Sequence, residues 1–265
     1  MLSAITPVIL TCNEAPNIGR TLERLRWARD IVLVDSGSTD GTVDIASSFP
    51  NTRLFRREFD AHATQWTYAI RETGIATDWV LALDADYVLS DAFVDEMRGL
   101  APRDDVHGYE ARFVYCIDGK PLRGTLYPPV TVLFRRKCAK YVQDGHTHRI
   151  RVSGSIRLMQ SPICHDDRKP TSRWLASQKR YMRLEADKLA AASFETLSWP
   201  DKVRCLRIVA PGAVLLYCLF WKGLILDGRA GISYAMQRTY AELLLSIYLL
   251  QNDLGALRRL RPGRP

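Results

Sequence analysis

The chain has 265 residues, of which 47% are hydrophobic and 25% charged, and this balance excludes disordered and fibrous proteins. Its length predicts one large globular domain with a smaller appendage. Lys and Arg exceed Asp and Glu by eight, so we expect an anionic partner, and nucleic acid, acidic lipid headgroups and phosphorylated glycans all remain open on charge alone.

The first predicted unit is a strand, a helix and a second strand. Residues 4–11 form an apolar run that stops at Cys12-Asn13-Glu14, and Pro16 follows where the first turn of a helix tolerates it. Residues 31–34 are continuously apolar and β-branched, which is typical of a strand covered on both faces. This strand ends at Asp35, and the three pieces together predict a βαβ unit.

The alternation of helices and strands continues along the chain. Residues 53–55 offer a third strand, residues 63–73 a helix, and residues 79–83 a fourth strand that breaks into Asp84-Ala85-Asp86. Strands that alternate with helices predict a mainly parallel sheet, in which ligands gather at the carboxyl ends of the strands. Every polar cluster described so far lies at such an end.

The pattern changes after residue 108. Short alternating runs up to residue 156 predict an antiparallel extension of the sheet, and Thr171 or Ser172 opens a long amphipathic helix. We therefore expect two parts, an α/β catalytic domain over residues 1–165 and a helical region over residues 166–265.

Residues 208–221 are uncharged and rich in aromatics, but they are fewer than the ~20 residues that a spanning helix needs. A re-entrant or interfacial segment is one interpretation, and a buried hairpin of core helices is the other. Four flanking basic residues could hold phosphate headgroups: Arg204, Arg207, Lys222 and Arg229.

Six scattered cysteines without a CxxC pair give no sign of a zinc site or of a disulfide framework. They fit a reducing cytoplasm best. The first ten residues have neither a basic leader nor a cleavable apolar segment, so we do not expect secretion.

The strongest chemical signal is Asp84-Ala85-Asp86 at the end of an apolar strand. Strand alternation places Asp84 and Asp86 on one side of the backbone, where two hard oxygen ligands can approach one divalent cation that bridges a diphosphate. The alternative is a solvated acidic turn. The position at the sheet edge beside two further polar clusters favours the metal site.

The second cluster is Asp35-Ser36-Gly37-Ser38. Asp35 can accept a hydrogen bond from a nucleobase imide or a ribose hydroxyl, and Gly37 allows the backbone to approach a ligand closely. A plain polar turn is the alternative. The sequence has no GxGxxG pattern, so it gives no support for a dinucleotide site.

Three linked motifs resemble family 2 glycosyltransferases of the GT-A fold: Thr11-Cys12-Asn13-Glu14, the stretch from Val34 to Thr42, and Leu83-Asp84-Ala85-Asp86. The likeness to the lipopolysaccharide-core glucosyltransferase branch extends further. It continues through residues 145–149, the His165 region and the spaced residues Leu224, Asp227, Gly228 and Gly231, so it covers most of the chain.

The resemblance implies an α/β GT-A fold, Rossmann-like, with a mainly parallel sheet, an antiparallel extension and a helical, membrane-associating C-terminal region. It also implies a sugar nucleotide, with a UDP-sugar favoured, and Mg²⁺ or Mn²⁺ as the cofactor. The residues expected to bind the donor are Thr11, Asn13, Glu14, Asp35, Gly37, Ser38, Asp84 and Arg168. The expected metal ligands are Asp84, Asp86 and His165.

The family's usual catalytic base is a carboxylate beyond the paired acids, and the matching candidate is Asp144. Single displacement needs a group that takes the acceptor hydroxyl proton, and either Asp144 or His146 could serve. A turn residue before Gly145 is the alternative for Asp144. The branch often has His-Glu where this chain has His148-Arg149, which leaves the base assignment open.

His165 could complete the metal shell or contact the diphosphate, although a lone His in a polar loop often does neither. Arg168 and Lys169 could meet phosphate oxygens of the donor or of a lipid, with solvent exposure as the alternative.

The predicted function is inverting sugar transfer to a lipid-linked or lipopolysaccharide acceptor. The enzyme is expected in the cytoplasm, attached peripherally to the cytoplasmic face of the inner membrane, and a homodimer is left open. We expect no nucleic-acid partner, because the aromatics do not alternate with the basic residues. The alternatives are a sugar-phosphate nucleotidyltransferase, which needs a Gly-rich basic loop after the first strand, and a non-catalytic basic module that binds membranes or nucleic acid.

Overall fold

The structure is a computed structural model that describes residues 1–144 and 147–260. It separates into two compact units. The first unit contains Met1–Pro121 and Thr125–Lys169, and the second contains Leu122–Gly124 and the described residues from Pro170 onward.

The first unit contains the strands and the first four helices. The strands are β1 Ile5–Thr11, β2 Ile31–Asp35, β3 Thr52–Arg56, β4 Trp79–Asp84, β5 Tyr87–Val88, β6 Val106–Ala111, β7 Phe113–Ile117, β8 Lys120–Pro121, β9 Val130–Arg135, β10 Ala139–Asp144, β11 Thr147–Val152, β12 Ser155–Leu158 and β13 Ile163–His165. The helices are α1 Ile18–Glu23, α2 Thr42–Ser47, α3 His62–Arg71 and α4 Asp91–Gly99.

Seven strands form the main sheet in the order β12-β6-β9-β4-β1-β2-β3. The four strands from β4 to β3 are mutually parallel, whereas β9 runs antiparallel to both of its neighbours. The predicted fold class, a mainly parallel α/β sheet with an antiparallel extension, is confirmed. Apolar runs such as Ile31 to Val34 form central strands because helices cover both faces of the sheet and keep these side chains from water.

Two smaller sheets complete the first unit. β10 and β11 form a hairpin, and β5, β13, β7 and β8 form a four-stranded sheet. The hairpin is anchored on α3, because buried Tyr141 stacks on buried Trp66 with ring centroids 5.3 Å apart. This ring contact holds β10 against α3.

The second unit is helical, with α5 Thr171–Ala191, α6 Trp199–Arg204, α7 Val209–Leu216 and α8 Gly228–Leu260. The long helix begins at Thr171, as predicted. A π-helical turn, Tyr217–Trp221, continues α7. Helices α5 and α8 pack through four buried apolar residues: Ala186, Leu189, Leu245 and Leu249. Within the described residues no single helix is long and apolar enough to cross a bilayer, but Val209–Trp221 and Leu224–Gly255, bent by 70°, pass this criterion as a pair.

Candidate active site

The carboxyl ends of three parallel strands bring the first predicted residues together. β1 lies between β2 and β4, and the register places Thr11 opposite Asp35 and Leu10 opposite Asp84. Asp84 is the last residue of β4. The polar clusters that the sequence placed at separate strand ends therefore share one edge of the sheet.

Asp35 holds the loop that follows β2. Its buried carboxylate accepts hydrogen bonds from the Thr11 hydroxyl at 3.1 Å, the Gly37 amide at 3.0 Å and the Ser38 amide at 2.9 Å, and it also accepts one from the Ser38 hydroxyl. These four donors match the acceptor positions of a carboxylate. A contact between Asp35 and a nucleobase or ribose, as predicted, therefore requires a ligand donor to replace one of them.

The loop after β1 is tied to the loop after β2. The Asn13 amide donates to the Ser38 hydroxyl at 2.7 Å, and the Asn13 side-chain oxygen accepts from the Thr39 amide at 2.7 Å. The Glu14 amide donates to the Thr42 hydroxyl at 2.6 Å. Asn13 has a φ of 58°, a backbone conformation that Asn adopts more readily than most residues. Both loops thus present one connected surface at the sheet edge.

The paired carboxylates differ in their surroundings. Asp84 reaches solvent, yet the protein around its other sides, followed by the nearby Asp86 carboxylate, raises the pKa of Asp84 to about 6. Burial raises the pKa of Asp86, but the charge and hydrogen bond of His165, together with the Lys169 ammonium, leave that pKa below its usual value. Asp86 Oδ2 lies 3.2 Å from His165 Nε2. The two acids are therefore poised differently, and Asp86 is the one held in place.

His165 reaches the paired acids through strand pairing. β13 pairs with β5 so that His165 lies opposite Tyr87, the residue that follows Asp86. The rings of Tyr87, Tyr115 and Tyr127 surround the imidazole, with centroids at 5.2, 4.7 and 5.0 Å. Burial lowers the pKa of His165, but the Asp86, Asp84 and Asp167 carboxylates together raise it above its usual value. The imidazole is fixed beside the carboxylate pair.

Two buried atoms at this position favour a cation. Asp86 Oδ1 and His165 Nδ1 have no hydrogen-bond partner among the described residues. A buried polar atom without a partner costs about 1–3 kcal/mol, which a bound ion would offset. Asp86 therefore fits a divalent ion. Within the described part of the chain, no three side chains of His, Cys, Asp or Glu are grouped closely enough to hold a metal, so the set of Asp84, Asp86 and His165 stays a prediction.

Asn17 is a central residue of the site that the motifs did not reveal. It is fully buried, and its side-chain amide donates to Glu14 Oε2 and to Asp167 Oδ1, both at 2.9 Å. Its side-chain oxygen accepts from Arg20 Nη2 at 2.9 Å and from the Arg168 amide at 2.8 Å. The one signal for this role in the sequence is that an Asn stands at the start of a predicted helix, at a position that the fold buries.

Lys169, for which solvent exposure was one alternative, lies largely buried beside Glu14. Lys169 Nζ lies 2.6 Å from Glu14 Oε1. Burial raises the pKa of Glu14 by more than Lys169 lowers it, while the nearby Glu14 and Asp86 carboxylates raise the pKa of Lys169 despite its burial. Lys169 therefore belongs to the candidate site.

Arg168, which was predicted to contact the donor, instead contacts Asp166. Arg168 Nε lies 2.9 Å from both carboxylate oxygens of Asp166, and Arg20 Nη1 lies 2.6 Å from Oδ2. The Gly119 amide adds a further hydrogen bond at 3.1 Å. In this structure the guanidinium of Arg168 orders the segment after His165, and phosphate binding by Arg168 stays a prediction.

The two candidate bases lie at or beyond the limit of the described residues. The backbone of Asp144 ends β10 opposite Thr147, but its side chain is outside the described part of the structure. His146 lies outside the described residues altogether. Both assignments stay predictions.

A model of the family described as "Glycosyl transferase family 2" matches residues 6–160, which is more than half of the chain. The match spans β1 to β12 and includes the three strand ends described above. It excludes the helical second unit from Pro170 onward.

Several curated proteins are similar in sequence. An uncharacterized glycosyltransferase of Rickettsia bellii is 30% identical over 54% of this chain and 51% of its own length. The lipopolysaccharide core biosynthesis glycosyltransferase LpsC of Rhizobium meliloti is 30% identical over 69% of this chain and 70% of its own length. This chain spans about half to three fifths of the length of the Rickettsia relatives.

Solved structures with a similar fold include glucosyl-3-phosphoglycerate synthase from Mycobacterium tuberculosis in complex with Mn²⁺, UDP and phosphoglyceric acid. It is 15% identical, covers 69% of this chain and 77% of its own, and has a TM-score of 0.47. TarS residues 1–349 of S. aureus, in complex with UDP-GlcNAc, is 14% identical, covers 94% of this chain and 92% of its own, and has a TM-score of 0.44.

Proposed function

Because this chain belongs to glycosyl transferase family 2, we propose that it is an inverting glycosyltransferase that moves a sugar from a UDP-sugar to a lipid-linked or lipopolysaccharide acceptor. That it is a transferase follows from the family. The donor nucleotide, the metal, the stereochemical course and the acceptor are the proposal.

One observation carries the donor part of the proposal. Asp86 Oδ1 is buried without a partner among the described residues, beside a second carboxylate with a raised pKa. A cation at this point of the sheet edge would give Asp86 Oδ1 a partner and would stabilise the ionised form of Asp84. Asp84 and Asp86 would hold Mg²⁺ or Mn²⁺, and the ion would stabilise the negative charge of the departing nucleoside diphosphate.

The other residues of the edge prepare the donor site. Asp35 and Asn13 hold the loops after β1 and β2 in one arrangement before any ligand arrives. His165 fixes the orientation of Asp86. A preorganised site of this kind costs little rearrangement when the donor binds.

Inversion requires a base on the face of the sugar opposite the leaving group. We assign this role to Asp144, the last residue of β10, or to His146, which lies outside the described residues. General-base assistance contributes about 10²–10⁴ in rate, so loss of the correct residue should lower turnover while donor binding persists.

The acceptor assignment rests on charge and on one relative. Residues 170–265 contain 15 of the 37 Lys and Arg but only 7 of the 29 Asp and Glu, so the entire positive surplus of the chain lies there. Such a region suits an anionic membrane surface. The similar Rhizobium protein is named for lipopolysaccharide core biosynthesis. We place the enzyme at the cytoplasmic face of the inner membrane, and its six scattered cysteines, without a CxxC pair, suit a reducing compartment.

The test uses Asp86→Asn, which keeps the size of the side chain and removes its charge. Purified protein is titrated with UDP in the presence of Mn²⁺, and hydrolysis of a panel of UDP-sugars is measured. We expect Asp86→Asn to weaken Mn²⁺-dependent UDP binding at least tenfold and to lower turnover at least about a hundredfold.

Asp105→Asn is the matched control, because Asp105 is an exposed acid outside the candidate site and is paired with Arg103. It should behave as the wild type. The proposal fails if the wild type binds no nucleotide sugar with either ion, or if Asp86→Asn binds and turns over the donor as well as the control does.

A further inference from the structure

The most exposed apolar surface of the second unit lies where α7 gives way to α8. We call this surface the apolar apex and define it as Phe220, Trp221, Ile225 and Leu226. Trp221 is 80% exposed, Leu226 68% and Phe220 63%. Contiguous exposed aromatic and aliphatic side chains of this kind mark an interaction site in a folded protein.

The bend that carries the apolar apex is rigid, because its backbone has few alternative conformations. Gly223 has a φ of 68°, which a residue with a side chain rarely adopts. A Cβ on Gly231 would lie 1.9 Å from the Leu224 carbonyl oxygen, so this turn of α8 packs directly on the backbone of the bend. The exposed side chains are therefore held outward by a rigid turn.

A buried carboxylate reinforces the bend from inside the second unit. Asp227 is almost inaccessible and accepts from the Arg123 amide at 2.9 Å and from Arg123 Nε at 3.1 Å. The segment Leu122–Gly124 thereby closes over the bend, and a Cβ on Gly124 would lie 2.9 Å from the Lys222 carbonyl oxygen. Two close backbone contacts and the hydrogen bonds of the Asp227 carboxylate thus hold the bend that presents four apolar side chains to solvent.

The dimensions suit insertion at a membrane interface. Val209–Trp221 spans thirteen residues, about 20 Å at 1.5 Å per residue, whereas the hydrocarbon core is about 30 Å thick. The 70° bend then turns the chain away. A segment of this length and shape reaches the boundary of headgroups and acyl chains without crossing.

The charge of residues 170–265 favours one of two partners for the apolar apex, which are a second copy of the chain and a lipid bilayer. A second copy of the chain would have to bring two regions of net positive charge together, since residues 170–265 carry the whole positive surplus. A bilayer with anionic lipid attracts a region of this charge. Lys222 lies within the bend, over the Tyr217 ring at 5.6 Å, and Arg229 follows in the first turn of α8.

The structure corrects one part of the expected lipid contact. Arg204 and Arg207 were expected to hold phosphate headgroups. Arg204 Nη2 lies 2.8 Å from Glu242, and Arg207 Nη2 lies 2.9 Å from Asp253. Both guanidinium groups thus tie α8 to the segment before α7, and the headgroup role falls to Lys222 and Arg229.

We propose that the apolar apex inserts into the interface of a bilayer that contains anionic lipid, with Lys222 and Arg229 at the level of the headgroups. This inference deepens the proposed function, on which it rests for its purpose: it brings the enzyme to a lipid-linked acceptor. Aromatic residues at this depth anchor proteins to membranes, and nearby basic residues add electrostatic attraction.

The experiment measures flotation of the full chain with vesicles of phosphatidylcholine and phosphatidylglycerol in equal parts, and with vesicles of phosphatidylcholine alone. The variant is Trp221→Ser, and Trp199→Ser is the matched control, because Trp199 lies in the same unit and is 77% exposed. We expect Trp221→Ser to lower vesicle affinity about tenfold or more, and Trp199→Ser to lower it less than threefold.

Trp221→Phe supplies a readout that a folding defect would not mimic. It should keep vesicle affinity within about threefold while it removes most of the fluorescence quenching that brominated acyl chains cause in the wild type. Thermal unfolding of each variant confirms that the exposed substitutions leave the fold intact.

Three results overturn the inference. Trp221→Ser binds vesicles as tightly as Trp199→Ser does, or Trp221→Phe is quenched like the wild type, or the wild type forms dimers that Trp221→Ser abolishes and shows no vesicle binding. Flotation is measured without donor. If the wild type turns over UDP-sugars but does not bind vesicles, only this inference fails; if the wild type binds vesicles but turns over no UDP-sugar, only the proposed function fails.

Discussion

Asn17 joins parts of the candidate site that are far apart in the sequence. Its hydrogen bond to Asp167 spans 150 positions, and the same side chain holds Glu14 and Arg20. Asp35, Asp84 and Asp86 could be singled out from the sequence, because acids at strand ends are a local signal, and His165 could be named from the family resemblance. Asn17 could not, and Lys169 was expected only to meet phosphate oxygens or solvent. The contacts of Asn17 with Asp167 and of Lys169 with Glu14 form only after residues 166–169 have folded back onto the start of α1.

We predict that Asn17→Ala lowers the free energy of unfolding by about 2–4 kcal/mol, because it leaves Glu14, Asp167 and Arg20 with unmet hydrogen bonds in a buried network. Asn51→Ala is the control. Asn51 donates to the Ala28 carbonyl at 2.8 Å, and its loss should cost about 0.5–1.5 kcal/mol. Urea unfolding measures both, and equal losses would show that Asn17 is an ordinary hydrogen-bonding residue.

Several groups of the site, among them Glu14, Asp84, His165 and Lys169, bind protons more tightly in the folded chain than in the unfolded chain. The pKa of Asp84 is raised to about 6, and the pKa of His165 is also raised. Asp84 stabilises the fold fully below about pH 4 and loses this contribution as the pH rises through 6, and His165 loses its contribution at higher pH still. Asp86 and Asp166, whose pKa values are lowered, titrate below this window.

We therefore predict that the ion-free protein loses thermal stability between pH 4 and pH 8, and that Mn²⁺ restores it at the upper end. Protonation of Asp84 at pH 5 should weaken Mn²⁺ about tenfold relative to pH 7.5, because only the ionised carboxylate is a ligand. Tm with and without Mn²⁺ at both pH values tests this. A Tm increase that is the same at pH 5 and pH 7.5 would contradict it, and Asp84→Asn should lose the pH effect.

At the scale of elements, long apolar runs were predictable and short pairings were not. β1, β2 and β4 lie where the sequence placed strands, because each is a continuous apolar run that needs cover on both faces. β5 has two residues and β13 three, and they are strands only because β13 pairs with β5 and with β7. The pairing of β13 with β5 brings His165 to Asp86, so the part of the site that was hardest to predict depends on the shortest elements.

The bend between α7 and α8 gives a prediction at the same scale. Gly231→Ala would place a methyl group 1.9 Å from the Leu224 carbonyl oxygen, so the helix must move away from the bend. We expect a loss of about 2–3 kcal/mol in the free energy of unfolding. Gly212→Ala is the control, because a Cβ there meets no atom of the described residues within 4 Å.

Gly212 lies inside α7, where Ala is a better helix former, so Gly212→Ala should be neutral or stabilise the protein by about 0.5–1 kcal/mol. Denaturant unfolding of both variants gives the comparison. If Gly231→Ala is as stable as Gly212→Ala, the backbone contact between α8 and the bend does not constrain the apolar apex.

At the scale of the whole molecule, the surplus of positive charge lies in one part of the chain. Residues 1–169 contain equal numbers of basic and acidic residues, 22 of each, and residues 170–265 carry the full surplus of eight. From composition alone we expected an anionic partner, with nucleic acid, acidic lipid headgroups and phosphorylated glycans all left open. The division became visible only when the sequence was read beside the two compact units, of which the first contains the candidate site and the second the apolar apex.

This division predicts that salt affects the two halves of the reaction differently. Attraction between the basic region and an anionic bilayer is screened over about 8–10 Å at 0.1–0.15 M salt and over about 3 Å at 1 M. Turnover of a lipid acceptor in phosphatidylglycerol vesicles should therefore fall about tenfold or more between 0.05 and 0.5 M NaCl. Hydrolysis of the UDP-sugar without acceptor should change less than about twofold, because the buried Asp86 carboxylate is screened little. Equal salt dependence of both rates, or the same loss with neutral phosphatidylcholine vesicles, would show that the charge of residues 170–265 does not serve membrane recruitment.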